Sequence, residues 1–383
     1  MTNRLDAQVS FLKEADRLKS VNRANLLLDG SRPENSAEHS WHLALYAWTL
    51  APLAGPDVNM FRVLHMLLLH DLVEVDAGDH PIHETHDWAE VERRELLAAQ
   101  RIFGLLPDDQ GQRLHDLWLE FEADTSPDAR FAKQLDRCQP IFQTLCAAAP
   151  VPEHVEIVRD NMKGGRAAYL EHAFPPAYAK AHVLLGFDTE TDTAPISTRL
   201  PFLTETDKLK SVLRASRLAD NSRRENSAEH SWHVMLHALI LAEHAAPEID
   251  LDRVLEMLLL HDIVEIDAGD NPIHGQVNQV EMEAKEQAAS KRLFGLLPPP
   301  QQQRGMAIWT EFEAAATPEA QFAKAIDRLQ VPILNLANGG GTWREYEVTL
   351  PQLEQRVGVP IRKGAPALWD WLFPHLETAF ARH

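Results

Sequence analysis

A histidine followed directly by an aspartate recurs at equivalent positions in the two halves of this chain, as His70-Asp71 and as His261-Asp262. Each pair closes the segment MLLLHD, at the end of the most apolar helical stretch of its half. Burying an imidazole beside a carboxylate costs free energy unless another group pairs with them. A divalent metal ion is one group that would pair with both.

Two further donors accompany each pair. His39 and His230 lie upstream on another predicted helix, and Asp136 and Asp327 lie downstream in AKQLD and AKAID. Together they make a candidate donor set of two imidazoles and two carboxylates from three helices. Such a set suits a borderline or harder divalent ion, for example Co, Mn, Fe or Zn. We therefore expect one divalent metal ion in each half of the chain.

The donors recur because the chain is an internal duplication. The segment ENSAEHSWH begins at Glu34 and again at Glu225, and MLLLHD begins at Met66 and again at Met257, always 191 residues later. No insertion or deletion interrupts this span. A repeat of this length is two copies of a domain and not a solenoid unit.

Both copies are predicted to be helical. We assign copy one to residues 1–186, copy two to residues 200–383, and a linker rich in Asp, Thr and Pro to residues 187–199. Apolar residues follow a helical period, and we find no convincing β alternation. The predicted fold class is all-α, as two tandem domains whose C-terminal ends differ in sequence.

Several helix boundaries can be predicted in copy one. Asn35 or Ser36 can cap the helix that carries His39, which should stop near Pro52. Residues 61–75 are apolar nearly all round, as expected of a buried central helix. Further helices are predicted over residues 88–103, 108–122 and 128–145.

The composition excludes several classes of protein. The chain has 57 acidic and 37 basic residues, a net charge of −20, which disfavours binding to duplex nucleic acid. Two cysteines, Cys138 and Cys146, cannot form a disulfide framework, and their confinement to one copy argues against zinc-thiolate sites. We find no signal peptide and no apolar run of membrane-spanning length, so we expect a cytoplasmic protein.

The motifs resemble a known family. The order H…HD…D is the pattern of the HD-superfamily phosphohydrolases. The segments RLKSVNR, R-x-E-N-x-x-E-H-S (residues 32–40) and H-D-x-x-E-x-x-x-G-D (residues 70–79) resemble the YfbR-like 5'-deoxynucleotidases. One departure follows the final Arg of RLKSVNR. The next residue is often aromatic in that family, but it is Ala24 in copy one and Ala215 in copy two.

The resemblance implies a role for each matching residue. The implied metal ligands are His39, His70, Asp71 and Asp136 in copy one, and His230, His261, Asp262 and Asp327 in copy two. The implied substrate-phosphate ligands are Arg23 and Arg214. The implied catalytic acids are Glu74, Asp79, Glu265 and Asp270.

Physical chemistry is compatible with these roles. Glu74 would share a helix face with His70 if the helix continued, and a carboxylate there could take a proton from attacking water. Arginine offers a planar fork that fits phosphate oxygens. The predicted function is metal-dependent removal of phosphate from nucleoside 5'-monophosphates.

Two alternatives stay open at this point. One is HD chemistry on a nucleotide polyphosphate or a cyclic dinucleotide, for which a two-metal site would need extra histidines; only His83 and His274 could serve. The other is a nucleotide-binding regulatory protein with one or both sites inactive. Retention of the acids in both copies argues against this second alternative.

The duplication also predicts how the copies associate. The family that the chain resembles commonly forms homodimers of a single copy, so we expect the two copies to pack as an intrachain pseudo-dimer. Among the other repeated residues, Glu38 can cap its helix and His42 can belong to the core. Lys133 could contact phosphate or lie on a solvated helix face.

Overall fold

The helix that carries His39 begins at a cap encoded in the repeated segment ENSAEHS. The Asn35 side chain accepts a hydrogen bond from the backbone N–H of Glu38 (3.0 Å), and the Glu38 carboxylate accepts one from the backbone N–H of Asn35 (2.9 Å). This reciprocal cap pairs two amides that a helix start otherwise leaves free. It confirms the predicted start and the capping role of Glu38. Asn226 and Glu229 form the same cap in copy two.

This computed structural model describes residues 4–81, 84–245, 249–273, 275 and 278–381. The helices before residue 200 are α1 (Arg4–Ala15), α2 (Ser36–Leu50), α3 (Met60–Leu69), α4 (Glu74–Ala77), α5 (Trp88–Phe103), α6 (Asp108–Ala123), α7 (Pro127–Leu145), α8 (Pro152–Gly164), α9 (Leu170–Ala173), α10 (Pro175–Leu184) and α11 (Ala194–Ser197). The predicted helices of copy one are therefore confirmed, with one exception described below.

Copy two repeats the core of this arrangement. Its helices are α12 (Leu200–Thr206), α13 (Ser227–Leu241), α14 (Leu251–Leu260), α15 (Glu265–Ala268), α16 (Gln279–Phe294), α17 (Pro299–Ala314), α18 (Pro318–Ala337), α19 (Gly341–Glu345), α20 (Leu350–Leu353), α21 (Val359–Gly364) and α22 (Pro366–Phe380). The elements after α7 and after α18 differ between the copies, as their sequences do. Among the described residues, no helix is long and apolar enough to cross a membrane.

The buried helix that leads to His70 is shorter than predicted. α3 ends at Leu69, and a 3-10 turn over His70–Val73 connects it to α4, so Glu74 begins a new helix. Gly78 follows α4 with φ +79°, a conformation that favours glycine. The chain turns there, and the carboxylate of Asp79 lies 3.6 Å from the Arg23 guanidinium.

Each copy also contains a short hairpin that the sequence analysis did not predict. β1 (Asn22–Leu26) pairs antiparallel with β2 (Pro33–Asn35), and β3 (Leu213–Arg217) pairs with β4 (Arg224–Asn226). Strands this short and polar show no apolar alternation, which is the pattern that reveals strands in a sequence. The hairpins matter for the site because β1 carries Arg23 and β3 carries Arg214.

The two copies pack against each other through α2 and α13, which confirms the predicted pseudo-dimer. Trp41 is fully buried, and its indole N–H donates to the carbonyl oxygen of Leu259 in copy two (3.3 Å). Trp232 donates in the same way to Leu68 in copy one (3.2 Å). The duplicated tryptophans therefore form a pseudo-symmetric pair of contacts across the interface.

The N-terminal segment of each copy packs on the other copy, an exchange that the sequence did not predict. α1 contacts α13, where His233 Nε2 lies 2.9 Å from the carbonyl oxygen of Leu12. α12 contacts α2, where His42 Nε2 lies 3.0 Å from the carbonyl oxygen of Leu203. His42 and His233 thus belong to the buried interface.

The predicted linker, residues 187–199, is partly structured. It contains α11, and Ile196 is buried against the rest of the chain. The proposed boundaries, copy one over 1–186 and copy two over 200–383, stay predictions. The N-terminal segment of each copy packs on the other copy, so boundaries in the sequence and boundaries in the packing do not coincide.

Replacing Trp41 should destabilise the whole chain. The Trp41→Ala variant loses a fully buried side chain at the interface, which typically costs about 3–5 kcal/mol of unfolding free energy. Denaturant unfolding followed by circular dichroism measures the loss. Leu97→Ala is the control, because Leu97 is 51% exposed and its removal should change stability by about 0.5 kcal/mol or less. Equal stability of the two variants would contradict a tightly packed interface.

Candidate metal and substrate sites

Three predicted metal ligands converge in each copy. His39 on α2, His70 at the end of α3 and Asp136 on α7 each offer a ligand atom, and these atoms lie within 4.8 Å of one another. The equivalent group in copy two is His230, His261 and Asp327. Residues that are 97 positions apart in the chain, such as His39 and Asp136, approach to 3.2 Å. The helices therefore bring together the groups that spacing alone could only suggest.

The protonation pattern of His70 fits a metal ligand. Its Nδ1 lies 2.9 Å from the carbonyl oxygen of Leu67 and can donate to it, which leaves the lone pair of Nε2 free. Among the described residues, Nε2 is buried and makes no well-aligned hydrogen bond, although Asp71 Oδ1 lies 3.0 Å away. His261 is held in the same way by the carbonyl oxygen of Leu258, at 2.8 Å. A buried, unpartnered imidazole nitrogen beside two carboxylates is the chemistry that a divalent cation satisfies.

Asp71 stands between the histidines and an arginine. Its Oδ1 lies 3.0 Å from His70 Nε2, and its Oδ2 accepts a hydrogen bond from Arg23 Nη1 at 2.9 Å. The carboxylate can therefore contribute one oxygen toward the histidines while the other holds Arg23. In copy two, Asp262 makes the same two contacts, at 3.2 Å to His261 and 2.6 Å to Arg214.

Arg23 is the main buried cation of the copy-one site. Besides Asp71, its Nη1 lies 3.8 Å from Glu74 and 3.6 Å from Asp79. Burial alone would lower the pKa of Arg23, but the Asp71, Glu74 and Asp79 carboxylates outweigh it, so the pKa is raised and the guanidinium stays charged. Among the described residues, its buried Nε–H has no partner. Arg214 repeats this arrangement with Asp262, Glu265 and Asp270.

Glu74 is held next to the cluster by a serine. Its Oε2 accepts a hydrogen bond from Ser36 Oγ at 2.5 Å, and burial, reinforced by Asp71, raises its pKa well above the ordinary value for a glutamate. Glu265 and Ser227 make the same pair in copy two, and the pKa of Glu265 is raised for the same reasons. Neither serine was predicted from the sequence, although both lie in the duplicated segment ENSAEHS.

Arg137 and Arg328 were also missed. Each follows the last candidate ligand directly, and in each copy this arginine lines the cavity that contains Arg23 or Arg214. Arg137 Nη1 lies 3.8 Å from Asp136 Oδ2. The available signal was that an arginine follows the final aspartate in both copies, in LDR and in IDR.

The far walls of the two cavities differ. In copy one, α8 supplies His154, Ile157 and Asn161. In copy two, the divergent C-terminal part supplies Trp343 and Tyr346. The two cavities thus share the end with the arginine and the acids but differ at the opposite end.

The repeated Lys133, which was considered for phosphate binding, lies outside the cluster. The Lys133 ammonium pairs with Glu122 on α6 at 3.1 Å and lies 4.0 Å from the centre of the Phe121 ring, so its described contacts are with the neighbouring helix. His83 and His274, the candidates for extra ligands, lie outside the described residues.

Comparison with known proteins assigns the family. The HD domain family matches residues 15–177 and again residues 206–369. The chain belongs to the HD domain family. Both family matches include every candidate ligand of the corresponding copy, from His39 to Asp136 and from His230 to Asp327.

Several relatives of this HD-domain chain have been described. It is 33% identical over 136 residues to the human 5'-deoxynucleotidase HDDC2, covering 35% of this chain and 65% of that protein. It is 31% identical over 141 residues to the Schizosaccharomyces pombe 5'-deoxynucleotidase hdd1, covering 35% and 69%. The aligned part thus spans about two thirds of each relative. A crystal structure of a predicted metal-dependent phosphohydrolase from Magnetospirillum magnetotacticum MS-1 is 43% identical, covers 50% of this chain and 95% of its own, and has a TM-score of 0.48.

Proposed function

We propose that this chain is a divalent-metal-dependent phosphohydrolase that releases phosphate from nucleoside 5'-monophosphates, with one metal ion and one active site in each copy. The observation that carries the proposal is the unpartnered Nε2 of His70 among His39, Asp136 and Asp71, with the buried Arg23 guanidinium beside it. The names of the relatives, 5'-deoxynucleotidases, support the nucleotide as substrate class.

Each group would have a separate task. His39, His70, Asp71 and Asp136 would hold the metal, which when bound supplies Lewis-acid activation of water and offsets phosphate charge. Arg23 would bind phosphate oxygens through its guanidinium fork. Glu74, positioned by Ser36, would take a proton from the attacking water as its oxygen bonds to phosphorus. The bond from phosphorus to the 5' oxygen would then break, and that oxygen would take up the proton held by Glu74, so that inorganic phosphate and the neutral nucleoside leave.

Asp79 would orient Arg23. Its carboxylate lies 3.6 Å from the guanidinium, and the positive φ of the preceding Gly78 places it there. In copy two, Asp270 lies 3.6 Å from Arg214 and also accepts a hydrogen bond from the backbone N–H of Ala215. Because the far walls of the cavities differ, we expect the two copies to prefer different nucleosides while handling phosphate alike.

Loss of the two arginines should reduce hydrolysis selectively. Arg23→Ala combined with Arg214→Ala should lower kcat/KM for nucleoside 5'-monophosphates by about 10²–10³-fold, the usual effect of removing a donor that stabilises developing charge. Phosphate release over a panel of ribo- and deoxyribonucleoside 5'-monophosphates measures it. The matched control is Arg101→Ala with Arg292→Ala, which removes repeated arginines that pair with Asp76 and Asp267 away from the site. Wild-type kcat/KM in the Arg23/Arg214 variant would contradict the proposed phosphate contact.

A further inference from the structure

Two fully buried lysines each bind a glutamate of the other copy. Lys210 precedes β3 in copy two, yet its ammonium lies 2.6 Å from Glu34 Oε1 and 2.9 Å from His42 Nδ1 of copy one. Its own neighbour Asp207 supplies a second carboxylate. A buried ammonium is costly unless it is paired and hydrogen-bonded, and Lys210 is both. The cluster of Glu34, His42 and Asp207 has the spacing of a metal site, but the ammonium already supplies its cation.

Glu34 connects this lysine to a candidate metal ligand. While Oε1 binds Lys210, Oε2 lies 3.5 Å from His39 Nδ1. Among the described residues, neither Oε2 nor His39 Nδ1 has a hydrogen-bond partner. Glu34 is therefore the nearest acceptor for a proton on Nδ1.

The tautomer of His39 decides whether it can bind a metal. Its Nε2 faces the cluster, at 3.2 Å from Asp136 Oδ1, so Nε2 must present its lone pair and Nδ1 must carry the proton. A carboxylate beside Nδ1 favours that tautomer and fixes the ring orientation. Lys210 in turn holds the Glu34 carboxylate in place and offsets its charge.

The same chain of contacts runs in the opposite direction. The Lys19 ammonium lies 2.5 Å from Glu225 Oε1, and Glu225 Oε2 lies 3.6 Å from His230 Nδ1 in copy two, where this oxygen also accepts a hydrogen bond from Ser216 Oγ at 3.0 Å. Lys19 lies four residues before Arg23 in the chain. Lys19 contacts copy two, yet Arg23 contacts Asp71 in copy one. Each segment LKSVxR, residues 18–23 and 209–214, therefore sends its lysine to one site and its arginine to the other.

We propose that each metal site is positioned by a lysine from the other copy, Lys210 for the site of His39 and Lys19 for the site of His230. The inference rests on the proposed function in one respect, since it takes His39 and His230 as metal ligands. The lysines are positioning residues that act through Glu34 and Glu225. A single copy would thus lack a group that its own site requires.

The test uses the full chain with one metal site disabled at a time. His261→Ala leaves the copy-one site, and His70→Ala leaves the copy-two site. Binding of Co²⁺ to the metal-free protein, followed by visible absorption and calorimetry, is the readout. In the copy-one background, Lys210→Met should weaken Co²⁺ binding by about 10–100-fold, the usual cost of losing an outer-shell partner, and Lys19→Met should leave it unchanged. In the copy-two background, Lys19→Met should weaken Co²⁺ binding and Lys210→Met should leave it unchanged.

The crossed pattern separates positioning from general stability. A purely structural role predicts that each lysine variant affects both sites equally or neither, and either result would overturn the inference. If Lys210→Met or Lys19→Met does not fold, Glu34→Gln and Glu225→Gln decide the question, because each keeps the side-chain size and should weaken only the site in its own copy. Phosphate release is measured separately. Crossed Co²⁺ effects without hydrolysis contradict the proposed function alone, and uncrossed effects with hydrolysis intact contradict the positioning role alone.

Discussion

Glu74→Gln combined with Glu265→Gln should lower kcat by about 10²–10⁴-fold, the usual contribution of a general acid or base. The substitution keeps the size of the side chain and an oxygen that Ser36 or Ser227 can bond to, but the amide cannot take a proton from water. Neither glutamate belongs to the triads of converging ligand atoms, so metal content should stay at the wild-type value.

Phosphate release under saturating nucleotide, together with metal analysis of the same samples, measures this effect. The matched control is Asp76→Asn with Asp267→Asn, acids of the same short helices that pair with Arg101 and Arg292. These variants should keep wild-type kcat. A Glu74/Glu265 variant with normal kcat would exclude the proton-transfer role, and one that loses its metal would assign the glutamates to the ligand set instead.

His70→Ala should remove one site's share of bound metal, His261→Ala the other share, and the combined variant all of it. Each histidine presents an Nε2 lone pair that its backbone contact leaves free, so the substitution deletes one imidazole from each group of converging ligand atoms. Metal analysis after reconstitution of metal-free protein measures the shares. His65→Ala is the control, because His65 lies apart from both clusters.

Thermal unfolding supplies a second measurement for the same variants. A ligand that binds only the folded state stabilises it by about 2.7 kcal/mol at 100 times its Kd. Added Co²⁺ should therefore raise the Tm of the wild type and leave the Tm of the combined variant unchanged. Wild-type metal content in the combined variant would show that His70 and His261 are not ligands.

The sequence alone was sufficient to select the candidate residues that the structure brings close together. His39, His70, Asp71 and Asp136 recur with their counterparts in copy two, and that joint recurrence favoured a shared site over a separate core role for each histidine. The cap at Asn35 and Glu38 was also readable, because a capping box depends on residues three positions apart. Helical periodicity is also a local pattern, so it was sufficient to predict the all-α class.

The tertiary structure decided how those groups are supported. The break at His70 was not readable, because an apolar run does not distinguish one long helix from a helix followed by a 3-10 turn. The hairpins that carry Arg23 and Arg214 were missed because short polar strands lack a period. The serines beside Glu74 and Glu265 needed the folded chain to bring residues 38 positions apart into contact.

Only the structure could show which copy supplies the lysine and which supplies the arginine of each site. Lys19 bonds to Glu225, 206 residues away, whereas Arg23, close to Lys19 in the chain, bonds to Asp71. An exact internal repeat is compatible with a lysine that serves its own copy or the other one, because both arrangements leave the same residues at the same spacing. Packing of α1 on α13 and of α12 on α2 selects the crossed arrangement. The sequence thus indicated the candidate ligands, arginines and acids of each site, and the interface determined which copy supplies the buried lysine.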